Sequence, residues 1–169
     1  MTALNLGCGP WLFQEPWTNA DLLSNIGADI RVDINKKWPW KVDTFDQIFA
    51  NHVLEHGMDI QHMLRELWRV CKPGAFVQIR LPICTWTEYW DDLTHRSHWT
   101  EQTLTWYQQG HPHHGALPFQ DIEFEVLHQE LREGWELRWD LKVVKPGLPP
   151  DADPPIGNPQ LIAQGELLP

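Results

Sequence analysis

Leu4-Asn5-Leu6-Gly7-Cys8-Gly9-Pro10 is the stretch that decides the fold. With Ala3 in front it is a short apolar run that meets Gly-x-Gly, and it reads as a buried strand ending in a tight turn. Glycine there lets the main chain approach a ligand closely. It also bares N–H groups at the C-terminal edge of a sheet, the crevice where open α/β sheets bind nucleotides. Taken alone the motif is weak, because an ordinary tight turn has the same sequence.

The segments that follow supply the context. A second strand is expected to end near Asn19-Ala20-Asp21, a third to run from Asp29 to Asp33 and a fourth from Phe45 to Ala50. Between Asp59 and Cys71, Ile60, Met63, Leu64, Leu67 and Cys71 recur at the spacing of one buried helical face. Asp59 suits the N-cap, and Lys72-Pro73-Gly74 suits the stop. Ala75–Leu81 then reads as a fifth strand, ended by Pro82. Strand, helix and strand at this distance make a βαβ unit, hence a parallel sheet. Thr100–Gln109 is expected to be a helix with Thr100 as its N-cap. Ile122–His128 and Trp135–Val144, either side of Arg132-Glu133-Gly134, are expected to form a closing β-hairpin.

Composition narrows the function classes. A formal net charge of −10 with no basic run argues against nucleic acid and against an anionic membrane surface as partners. Cys8, Cys71 and Cys84 are odd in number and irregularly spaced, which fits a reducing compartment better than a disulfide framework. The opening residues have neither a basic n-region nor a long apolar run. No signal peptide or transmembrane helix is expected, and the cytoplasm is the expected location. From Pro146 onward the chain holds half of its 14 prolines and has little apolar periodicity. The expected layout is therefore a domain over 1–145 and an extended proline-rich arm over 146–169, through which a homo-oligomer could assemble.

A dinucleotide oxidoreductase fits poorly, since Pro10-Trp11 replaces the third glycine of that fingerprint and Asp21 comes too early for its ribose acid. The order LNLGCGP, NADLL, GADIRVDIN, FDQIFANHVLEHG, ELWRVCKPG and DLTHRSHWT instead resembles the class I S-adenosylmethionine-dependent methyltransferases, closest to the methyltransferase type 11 group, over about residues 3–144. The resemblance implies a Rossmann-like, mostly parallel sheet with a C-terminal antiparallel hairpin, and S-adenosylmethionine as cofactor. It implies that Leu6, Gly7, Cys8 and Gly9 cradle the cofactor's amino-acid end. It places Asp21, with Leu22, at the ribose, and Asp33 and Ile34 at the adenine. Asn51, His52 and Val53 would line the methionine and sulfur region. A DPTH-like motif falls on Asp92, Thr94 and His95, so Asp92, His95 and His98 are the candidates for acceptor-side catalysis, with His95 the favoured base or acceptor-orienting group.

The departures from the family are expectations too. The front end is short, because Pro10–Trp17 is too brief and proline-broken for the helix that normally follows the glycine loop. Trp11, Phe13 and Trp17 are expected to stand in for it by packing. The implied activity is methyl transfer to oxygen or nitrogen of a small-molecule or glycan-like acceptor. The alternative is a structural or assembly module that has lost turnover. His56 and Glu55 are read as structural groups. His95 and His98, like His111, His113 and His114, are read as polar loop residues rather than a metal site.

Overall fold

The structure is a computed structural model that describes residues 1–108 and 122–146. The proline-rich arm beyond Pro146 and the histidines at 111, 113 and 114 lie outside the described residues. Seven strands form one sheet: β1 (Ala3–Leu6), β2 (Trp17–Asp21), β3 (Ile30–Arg31), β4 (Phe45–Asn51), β5 (Cys71–Pro82), β6 (Glu123–Arg132) and β7 (Glu136–Val144). Their order across the sheet is β3-β2-β1-β4-β5-β7-β6. The first five are parallel, β7 runs antiparallel to β5, and β6 antiparallel to β7. The chain leaves β1 toward one edge, then returns to build the other side from β4. The reversal falls between β1 and β4, and it opens a crevice beyond their C-terminal ends.

Local chemistry explains most boundaries. Helix α1 (Ile60–Val70) starts where Asp59 Oδ1 accepts hydrogen bonds from the N–H groups of Gln61 and His62, at 2.9 and 3.1 Å. It buries Met63, Leu64, Leu67 and Val70 in the same cluster as Leu4, Leu6, Ile48, Val77 and Ile79 of the sheet. The helix ends one residue before the expected Cys71, and β5 starts at Cys71 rather than at the expected Ala75, so Lys72-Pro73-Gly74 lies within the strand. Cys71 pairs with Phe45 and Phe76 with Gln47, so Lys72–Ala75 is absorbed as an irregularity, with Gly74 at φ 78°. The hairpin turn follows from Glu133 and Gly134, both with positive φ.

One element differs from expectation. The described part of 100–109 is not an α-helix but a series of turns and a single 3-10 turn, Thr105–Tyr107. The threonine hydroxyls compete with the helix ladder. Thr103 Oγ1 takes the N–H of Thr100 at 2.9 Å, and Thr105 Oγ1 donates to the Gln102 carbonyl at 2.7 Å. Leu104 and Tyr107 are still buried. Among the described residues no helix is long and apolar enough to cross a membrane.

The two faces of the sheet differ. Leu4, Leu6, Ile48, Ala50, Val77, Ile79, Leu137, Trp139 and Leu141 make the core face. The alternate positions carry a buried polar row: Asn19 beside Asn5, Asn5 beside Phe49, Phe49 beside Gln78 and Gln78 beside Asp140. Over this row, at the β1–β2 end, lies the segment that replaces a helix. Asn5 Nδ2 donates to the Trp11 carbonyl at 2.8 Å. Asn19 accepts the N–H of Phe13 at 2.8 Å and donates to the Phe13 carbonyl at 2.9 Å. Phe13 stacks on Phe49 at 5.6 Å and meets Trp17 edge-on at 5.1 Å. Two buried asparagines thus supply the partners that a non-helical strap needs. Phe13 and Trp17 provide packing cover as expected, while Trp11 stays largely exposed.

Candidate functional site

The glycine loop is held from two sides. Gly7 and Cys8 both donate N–H bonds to the Ala20 carbonyl, at 2.8 and 3.1 Å. Gly9 donates to Asp21 Oδ2 at 2.9 Å, and Leu23 to Asp21 Oδ1 at 2.9 Å. Asp21 therefore braces the turn with both oxygens and still keeps lone pairs for further donors. Gly7 has φ 67°, and a Cβ there would lie 2.3 Å from Val53 Cβ. No side chain fits between the two loops. Gly9, at φ 50°, would meet nothing within 4 Å, because it faces open space.

That space is a cavity of about 520 Å³, within the ordinary range for a small-molecule site. Of the residues singled out from sequence, Leu6, Gly7, Gly9, Asp21, Leu22, Asp33, Ile34, His52 and Val53 line it. Cys8 and Asn51 do not. The Cys8 side chain is buried in the core, and burial with the nearby Asp21 charge pushes its thiol up to about 11, so it stays protonated and unreactive. Asn51 is the last residue of β4 and pairs with Arg80 in the sheet. Leu23, Val32, Asn35, His56, Thr94 and Arg96 complete the wall. Thr94 belongs to the DPTH-like motif read from the sequence, whereas no local sequence signal announces the others as wall residues.

Charge is distributed unevenly along the cavity. Asp33 holds the Asn35 N–H at 3.0 Å and Lys36 at 3.3 Å, and these bonds keep its carboxyl below the usual range. His52, with φ 49°, ends β4 and stands between two carboxylates. Its Nε2 is 3.0 Å from Glu136 and its Nδ1 is 3.5 Å from Glu55. Burial opposes its charge, but the hydrogen bonds to Glu136 and Glu55 outweigh burial and raise it to about 9. Asp21 and Asp33 suit hydroxyl and amine donors, and His52 adds a basic group to the same lining.

Residues 4–79 match the family model described as a methyltransferase domain. The chain has the fold of several solved structures. One is an S-adenosylmethionine-dependent methyltransferase from Mesorhizobium loti, with 15% identity, TM-score 0.61, and coverage of 83% of this chain and 90% of that one. Another is a methyltransferase of the same cofactor class from Archaeoglobus fulgidus, with 15% identity, TM-score 0.58, and coverage of 83% and 85%. A third is the complex of the Haloferax volcanii Trm112 methyltransferase activator with a putative methyltransferase, with 14% identity, TM-score 0.58, and coverage of 85% and 82%. The chain thus has the fold of S-adenosylmethionine-dependent methyltransferases, and its first half is similar to the methyltransferase domain family. No curated protein sequence matches the chain.

The far wall of the cavity comes from the loop after β5. It is fastened to the loop after β4: Arg96 and Ser97 donate N–H bonds to the Glu55 carbonyl at 2.7 and 3.1 Å, and Ser97 Oγ donates to the Leu54 carbonyl at 3.0 Å. Ser97 Oγ also accepts Trp99 Nε1 at 2.9 Å. Asp92 takes the N–H and the hydroxyl of Thr94 at 2.8 and 2.6 Å. His95 bonds through Nδ1 to the Tyr89 carbonyl at 2.8 Å, and its Nε2 is 3.6 Å from Asp92. Asp92 and His95 therefore meet, but neither lines the cavity, whereas Thr94 and Arg96 do. His98 is exposed and packs on Trp90 at 4.9 Å, away from both. The sequence reading treated His56 as structural; it lies on the wall, and its Nδ1 is 3.0 Å from Thr94 Oγ1.

Proposed function

We propose that this chain is an S-adenosylmethionine-dependent methyltransferase that moves the cofactor's methyl group to oxygen or nitrogen of a small-molecule or glycan-like acceptor bound under the loop after β5. The observation that carries the reading is the single cavity. It is lined both by Leu6, Gly7, Gly9, Asp21 and Asp33 and by His56, Thr94 and Arg96 of the later loops. The fit to S-adenosylmethionine rests on that lining. Gly7 leaves room that a side chain would fill, and the carboxylates of Asp21 and Asp33 accept the hydroxyl and amine donors of a nucleoside. The methionine end would lie along Gly7–Gly9 and Val53, the ribose at Asp21 with Leu22, and the adenine by Asp33 and Ile34. Bound S-adenosylmethionine supplies an already activated sulfonium methyl, so the chain's task is mainly to place the acceptor and exclude water. Thr94 and Arg96 offer polar contacts to the acceptor, with Asp92 and His95 holding them in place.

Calorimetry with S-adenosylhomocysteine tests this. The protein should bind one equivalent, and Asp21→Ala should weaken binding by about 1–3 kcal/mol, the usual worth of hydrogen bonds to a charged group. Wild-type protein that binds none would overturn the reading and favour an assembly module on this fold.

A further inference from the structure

Beyond the donor end of the cavity, Glu55, His56 and His95 come together from two loops. One donor atom from each lies within 4.8 Å of the others. His56 Nε2 is 4.0 Å from Glu55 Oε1. Three observations separate this group from ordinary polar loop residues.

The first is Glu55 itself. It is 1% exposed, and its Oε2 has no hydrogen-bond partner among the described residues. A buried carboxylate oxygen in that state is costly unless a proton or a cation joins it. The second is the orientation of the imidazoles. Thr94 Oγ1 gives its own hydrogen to Asp92, so it must accept one from His56 Nδ1. Tyr89 offers His95 Nδ1 only a carbonyl, so that nitrogen must also donate. Both rings, when neutral, therefore keep their lone pair on Nε2. Metal-ligating histidines are held in this way, by a hydrogen bond from the remote nitrogen. The third is access, since His56 lines the cavity and the donor atoms of Glu55 and His95 lie within 4.8 Å of its own.

We propose that Glu55, His56 and His95 hold a first-row divalent cation, of the zinc, iron or cobalt kind, at the acceptor end of the cavity. Two imidazole nitrogens with one carboxylate suit such borderline ions better than calcium or magnesium. Bonds of about 2.0–2.2 Å close the present spacing through side-chain shifts of about 1 Å. Asp92, 3.6 Å from His95 Nε2, is a second carboxylate within reach. His52 and Arg96 are the cationic groups nearby, and the Glu55 charge faces His52 from its other oxygen.

The chemical consequence rests on the methyl-transfer reading and narrows it to an oxygen acceptor. A hydroxyl placed at the ion loses its proton to solvent more readily. Its oxygen then takes the methyl group, the C–O bond forming as the C–S bond breaks, and the sulfur leaves as a neutral thioether.

Cobalt(II) titration of the chelator-treated full chain is the test. The wild type should bind one equivalent and show visible d–d bands. His95→Asn and His56→Ala should each bind at least tenfold more weakly with unchanged melting curves. Because Glu55 is buried and its substitution endangers folding, the half-exposed His56 is the safeguard variant. His128→Ala, on the exposed face of β6, should behave as wild type. Wild-type binding that is absent, or no tighter than that of His56→Ala, overturns the proposal. S-adenosylhomocysteine binding is measured on the same samples. Its absence sinks the methyl-transfer reading and leaves cobalt binding to stand or fall by itself.

Discussion

The two walls of the cavity are made in opposite ways. The wall at β1 and β2 is main chain: glycine N–H groups on the Ala20 carbonyl and on Asp21, with a backbone strap fixed by Asn5 and Asn19. The wall after β5 leans more on side chains. Besides the Arg96 and Ser97 N–H bonds to the Glu55 carbonyl, the Ser97 hydroxyl reaches the Leu54 carbonyl, the Tyr89 hydroxyl reaches the Ser97 carbonyl, and Asp92 holds Thr94. A wall of main chain has one shape, whatever side chains surround it, and suits a ligand that never changes. A wall of side chains can be rewritten residue by residue, and suits an acceptor that differs from enzyme to enzyme.

Three substitutions break or sharpen this contrast. Gly7→Ala should do the greatest damage. Its Cβ meets Val53 at 2.3 Å, and its φ of 67° is unfavourable for alanine. Overpacking and left-handed strain together amount to about 3–5 kcal/mol. Thermal unfolding should show that loss, and S-adenosylhomocysteine calorimetry should show binding lost with it. Asn19→Ala comes next. It strips the strap of partners for both the N–H and the carbonyl of Phe13, a loss of about 2–4 kcal/mol, readable in a urea midpoint. If the midpoint is unchanged, water serves the strap as well as Asn19 does. Ser97→Ala is the mildest, at about 1–3 kcal/mol, because it leaves Trp99 Nε1 unpaired and frees the loop from Leu54. Its S-adenosylhomocysteine affinity should equal that of wild type. A drop in affinity would mean that the two walls are not independent.

Local pattern was enough for much of the fold. Apolar runs ending in glycine, the Asp59 cap with its helical face, and the Glu133-Gly134 turn each act over a few residues, and each appears where the sequence puts it. The helix expected after Thr100 failed because apolar spacing says nothing of hydroxyls that capture nearby backbone groups. The polar face was missed although its signal is present. In β5, Gln78 and Arg80 alternate with Val77 and Ile79. In β7, Arg138, Asp140 and Lys142 alternate with Leu137, Trp139 and Leu141. Such alternation marks a sheet with one apolar side, whereas strands covered on both faces read as continuous apolar runs. At the site, residues next to the glycine turn and the strand ends were legible because the sheet edge fixes them. The Glu55, His56 and His95 group was not, because its members come from two loops, and long-range hydrogen bonds between residues 54–56 and residues 94–97 bring the two together.

The strand order also sets a timetable for synthesis. Emerging from the ribosome, β1 to β5 can pair in succession, each with a neighbour already made. The outer edge of β5 then waits, for the strand that covers it, β7, begins only at Glu136. During that interval an open edge is a template for pairing with other nascent chains. The edge carries Gln78 and Arg80 on one side, polar groups that make it a poor surface for such encounters. The late hairpin can form by itself through its short turn, and it arrives as a ready-made cover.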